Sequence, residues 1–124
     1  MNFQTRCVTF SLIAVLGTAS LILAAETTAK LQISDIMKQA HKKPKQLLKK
    51  VARGTATEAE KKELVKLYKV LAERKPPKGS AASWEAKTKM LIKAAEAALQ
   101  GQQDAGDQLY RAANCMACHR DHKN

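Results

Sequence analysis

Aromatic side chains are scarce in this chain: two Phe, two Tyr and one Trp among 124 residues. No stretch alternates aromatic or β-branched residues with polar ones at a period of two, and that absence argues against strands. Proline occurs only as Pro44 and the pair Pro76-Pro77, which places the breaks between helices rather than inside them. Acidic residues are outnumbered two to one, 11 against 22 Lys and Arg, for a formal net charge of +11. Cysteine is limited to Cys7, Cys115 and Cys118. A chain this short has room for one domain and no more.

What remains is a helical composition rich in Ala, Lys, Leu, Glu and Gln. The spacing predicts a first helix over about 30–42, where Ile33, Ile36, Met37 and Ala40 form one apolar stripe. Pro44 ends it, and Leu47, Leu48 and Val51 mark a short second segment over 45–53 with Gly54 as its stop. Thr57 with Glu60 is a capping box opening a helix whose buried stripe is Leu64, Leu67, Tyr68 and Leu71. Pro76-Pro77-Lys78-Gly79-Ser80 is the clearest loop. The next helix starts near Ser80 or Ser83 and carries Trp84, Thr88, Leu91, Ala95 and Ala98 on one face, with Met90, Ala94 and Ala97 beside it. Gly101 closes it. Asp104 caps a last helix that runs through Leu109, Ala112, Ala113 and Met116 to about Asp121. These helices and their short connections predict an all-α fold, an antiparallel four-helix bundle.

The first 25 residues read as a secretory signal. Arg6 is the only charge before Glu26, an apolar run follows, and Leu23-Ala24-Ala25 supplies small residues at its end. Cleavage there leaves residues 26–124 as the folded domain and removes Cys7. Retained instead, the uncharged run from Cys7 to Ala25 is close to the length of a membrane-spanning helix. A basic chain also raises nucleic acid as a partner. The export signal and the scatter of lysines over helix faces argue against that.

The two cysteines left after cleavage stand in Cys115-Met116-Ala117-Cys118-His119. C-x-x-C-H is the signature of covalent haem c attachment. On a helix, positions i, i+3 and i+4 share a face, so two thiols and one imidazole can meet one porphyrin. Cys115 and Cys118 are therefore the expected thioether links, and His119 the proximal iron ligand. A disulfide is the ordinary fate of two exported cysteines. With His122 added, the set is formally a zinc donor group, but it lacks the long separation between ligand pairs seen in zinc modules. A thioredoxin-like reading needs a βαβ context that the chain does not have.

With an export signal, four helices and C-x-x-C-H near the C-terminus, the chain resembles the class II c-type cytochromes, that is, cytochrome c-prime and its low-spin, methionine-ligated relatives. The motif is the specific part of the resemblance; the rest is helix order. In that family the residues after the motif read His-x-x-aromatic-basic, whereas here His122 stands in the aromatic position before Lys123. The low-spin members ligate iron with a methionine of the first helix, and the resemblance places Met37 there. His41, one turn on at i+4, is the rival ligand because imidazole binds haem iron well. Met90 lies among alanines on the third long helix, and Met116 sits between the two linking cysteines.

These readings predict a periplasmic monohaem carrier of single electrons, not an enzyme, with His/Met-ligated iron and a basic surface that docks acidic redox partners transiently. Arg111, Arg120 and Lys123, near the motif, are ordinary surface charges unless they pair with haem propionates. The resemblance also admits a homodimer paired through helices. Two alternatives stand beside the carrier: a five-coordinate c-prime-like haem that binds nitric oxide or carbon monoxide, and a zinc or thiol module without haem. The haem would fill much of a modest core, so the haem-free chain is expected to be loose.

Overall fold

Thr57 and Glu60 close the reciprocal cap that the sequence predicts. The Glu60 N–H donates to Thr57 Oγ1 at 3.2 Å, and the Thr57 N–H donates to Glu60 Oε2 at 2.9 Å. The computed structural model describes residues 31–124, and among them all regular structure is helical. The expected signal segment, residues 1–25, and Cys7 lie outside the described residues. Six helices follow in order: α1 Ile33–His41, α2 Leu47–Ala52, α3 Glu58–Ala72, α4 Ala81–Leu99, α5 Ala105–Ala112 and α6 Cys115–His122. No helix among the described residues is long and apolar enough to cross a membrane.

Two predicted stops are built alike. Past α2, Gly54 takes a left-handed φ of 69°, and the Thr55 N–H reaches back to the Lys50 carbonyl at 2.9 Å. Past α4, Gly101 has the same φ, and the Gln102 N–H reaches the Ala97 carbonyl at 3.0 Å. Each satisfies carbonyls that the helix end would leave orphaned.

The last helix departs from expectation. A single helix from Asp104 to about Asp121 is divided after Ala112 into α5 and α6. Asn114 turns extended there (ψ 95°), and its Oδ1 accepts the Ala117 N–H at 3.0 Å, so it caps a new helix that begins at Cys115. Asp104 does occupy the N-cap position of α5, but with a left-handed φ of 57° and no capping bond from its side chain.

The apolar stripes meet in one core. Ile36 and Ala40 of α1, Leu47 and Val51 of α2, Leu64, Leu67 and Tyr68 of α3, and Leu109 of α5 are buried with the face of α4 that carries Trp84, Leu91, Ala95 and Ala98. Helix α4 packs against both α3 and α5, α2 packs against α5, and α1 packs against α2 and α3. The alanines of α4 let its neighbours approach closely. Thr88, the one buried hydroxyl on that face, returns its hydrogen to the Trp84 carbonyl at 2.9 Å.

The tightest approach is at Gly106 of α5, where a Cβ would stand 2.2 Å from the carbonyl oxygen of Ala52 and 3.1 Å from its carbon. Both are backbone atoms at the end of α2 and cannot swing aside, so α2 and α5 would have to part. Ala is otherwise favoured over Gly in a helix by up to about 1 kcal/mol. We expect Gly106→Ala to reverse that sign and to destabilise by at least about 2 kcal/mol, within the usual range for overpacking. Urea unfolding monitored by circular dichroism measures it, and a stabilised variant would contradict the close approach.

Candidate functional site

Helix α6 carries the C-x-x-C-H motif, and Cys115, Cys118 and His119 occupy its first turn and a half. Both thiols are free, Cys115 exposed and Cys118 half-buried against the core. Burial pushes the Cys118 thiol up, and Lys87 nearby partly opposes it. His119 is exposed, as is Met116.

Apolar burial does little to hold α6, since His122 is its only buried residue. Polar contacts with α4 and with the loop before it fix the helix instead. Lys87 Nζ donates to the Ala117 carbonyl at 2.7 Å and to the Asp121 carboxylate at 2.5 Å. His122 is 3 % exposed, with Nδ1 3.0 Å from the Lys78 carbonyl and Nε2 3.0 Å from Ser83 Oγ. A carbonyl only accepts, so Nδ1 carries the proton, and in the neutral ring Nε2 accepts from the serine hydroxyl. The ring meets Trp84 edge to face, with centroids 5.3 Å apart at 72°. Gly79 makes room for it. A Cβ there would stand 2.5 Å from both His122 Nδ1 and the Asp121 carbonyl oxygen, and its φ is +87°.

His122 thus packs as an aromatic ring does, edge to face on Trp84. Both its nitrogens are engaged within the protein, which removes it from the zinc donor set. Among the described residues, no three His, Cys, Asp or Glu side chains gather as a metal site.

Two further polar side chains, on α1 and α3, feel the charge of motif residues. His41, the last residue of α1, is half-buried and lies tilted on Tyr68, with ring centroids 5.9 Å apart at 39°. Burial, and to a smaller extent the nearby His119, hold the His41 imidazole below the ordinary histidine range. Tyr68 is fully buried, and burial, with Cys115 adding to it, raises its hydroxyl well above the ordinary tyrosine value. His41 and Tyr68 are thus each within electrostatic reach of one motif residue. His41 Nε2 and Tyr68 Oη are both buried with no hydrogen-bond partner in the protein. Buried polar atoms are nearly always paired, so these two, each within electrostatic reach of a motif residue, call for an explanation.

The other methionines are placed as follows. Met37 is half-buried and packs on the core. Met90 is 59 % and Met116 76 % exposed. Met90 lines an open groove of about 310 Å³ with Lys93, Ala94, Gln108, Arg111 and Ala112, to which no motif residue contributes.

Sequence reasoning did not find Lys87, Ser83 or Gly79 and took Tyr68 as core packing alone. Lys87, Ser83 and Gly79 meet α6 across 30 or more positions in the sequence, and no local pattern marks these contacts. Comparison with protein-family models, with curated proteins and with solved structures found no match.

His122→Ala is expected to free the Ser83 hydroxyl and the Lys78 carbonyl and to empty the space beside Trp84, at about 2 kcal/mol in total. His122→Phe should restore the ring contact but neither hydrogen bond and fall between the two. Thermal melts of the three proteins check that order, and a wild-type melting point for His122→Ala would show that α6 is not anchored there.

Proposed function

We propose that this chain is an exported monohaem c-type cytochrome that carries single electrons. We further propose that its helices form an antiparallel four-helix bundle with α1–α2, α3, α4 and α5–α6 as the legs. The observation that carries the reading is C-x-x-C-H on the opening turns of an anchored helix, within electrostatic reach of two residues whose buried polar atoms lack protein partners.

The residues present fit a haem at that place. Cys115 and Cys118 would hold it by thioether bonds, and His119 would take one axial position. Bound there, a haem c supplies a one-electron ferrous/ferric couple with no bond made or broken in a substrate. Tyr68 and the apolar stripes of α1 and α3 would keep water off one side and so disfavour the extra positive charge of the ferric state. Lys87 and His122 would hold the attachment helix still, limiting the rearrangement that accompanies each transfer. The signal segment and the motif agree on compartment, because thioether attachment of this kind takes place beyond the bacterial inner membrane.

Mass spectrometry after co-expression with haem-attachment machinery tests the reading directly. The protein should be coloured and heavier than its polypeptide by one haem, and Cys115→Ala with Cys118→Ala together should be colourless and haem-free. A colourless wild type would favour the zinc or thiol alternative.

The basic excess gives a second expectation. Raising ionic strength from about 0.01 M to about 0.15 M shortens the screening length from about 30 Å to about 8 Å. Electron exchange with an acidic redox protein should slow by about tenfold or more over that range, as electrostatically steered encounters do. Stopped-flow mixing measures the rate, and a rate indifferent to salt would remove the docking role of the charge.

A further inference from the structure

We infer that His41, through Nε2, is the sixth ligand to the iron of the haem held by Cys115, Cys118 and His119, in place of Met37. The inference rests on the haem-carrier reading above and fixes the remaining coordination position of the same site.

Three observations carry it. The lone-pair or N–H position of His41 Nε2 is buried and meets no partner in the protein. An imidazole nitrogen in that condition is poorly placed unless something outside the polypeptide binds it, and a haem iron accepts a neutral imidazole readily. The ring is also oriented: Tyr68, itself fully buried, lies against it at 5.9 Å and limits its rotation. The third observation is its location. His41 ends α1 within electrostatic reach of His119, and its neighbour Tyr68 is within reach of Cys115, so the imidazole stands on the motif side of the domain.

Met37 shares the face of α1 but stands one turn earlier, where it packs on the hydrophobic core. A thioether packed against apolar groups leaves no polar atom in need of a partner. The other sulfur and imidazole candidates are spent or misplaced, since Met90 and Met116 are exposed and His122 has both nitrogens bound.

The test uses the holoprotein as wild type, His41→Ala and Met37→Leu, each read by absorption, magnetic circular dichroism and electron paramagnetic resonance. The wild type should be low-spin with the signature of two imidazoles and without the long-wavelength band of an iron–thioether bond. Met37→Leu should keep that spectrum. His41→Ala should turn high-spin and return to low-spin when imidazole is added. A thioether band in the wild type that Met37→Leu abolishes would overturn the assignment, as would a His41→Ala protein that stays low-spin. A high-spin wild type would overturn it as well and move the site to the five-coordinate, gas-binding reading. Should His41→Ala fail to accumulate, the wild-type spectrum alone decides between imidazole and thioether. Wild-type protein without covalent haem is a different failure, since it removes the carrier reading itself.

Discussion

The helix that carries the C-x-x-C-H motif has almost no apolar grip of its own, and its placement depends on how polar groups hold it. Helix α6 buries a single side chain, and that side chain is a histidine. Hydrogen bonds from His122 to the Lys78 carbonyl and with Ser83, and from Lys87 to Ala117 and Asp121, tie the helix to the start of α4 and the loop before it. Such bonds are directional, unlike apolar burial, so they fix the rotation of α6 about its axis as well as its position. Rotation decides which face Cys115, Cys118 and His119 present. A helix held by an apolar stripe alone would have its rotation set by that stripe and not by these bonds.

The same logic explains the break between α5 and α6. A continuous helix would carry the register of Leu109 straight through to Cys115, and the core contacts of α5 would then dictate where the thiols point. Asn114 interrupts that coupling and starts a fresh cap. One segment can therefore serve the core through Leu109 while the next carries the motif. Gly106, pressed against the Ala52 backbone, fixes the core half independently of the half that follows.

The legible parts of this sequence were the local ones. The Thr57–Glu60 box and the glycines at 54 and 101 act within a few residues of themselves, and each does what its spacing predicts. The apolar stripes were legible too, because period 3.6 repeats along α3 and α4 and those faces are the buried ones. The break at Asn114 escaped because Leu109, Ala112, Ala113 and Met116 continue a helical spacing across it, and a cap inside an unbroken stripe looks like an ordinary helical residue. His122 with Ser83 and Lys78, pairs separated by 39 and 44 residues, had no local sign at all. The choice between Met37 and His41 belongs to this second group. Both satisfy the same periodicity, so only the surroundings of each side chain separate them.

Charge is the property that the fold resolves least. Six of the chain's acidic residues are engaged in ion pairs among the described residues: Asp35, Glu58, Glu60, Glu63, Glu96 and Asp121. Most of these pairs are solvated, and surface pairs of that kind contribute little to stability. Even complete pairing could not neutralise the surface, because 11 acids face 22 Lys and Arg. An excess of that size works against compaction through self-repulsion. Lys87 is the exception, committed to α6 and withdrawn from the field. Because the acids cannot match it, the remaining excess acts as a long-range field around the domain and not as a part of the packing.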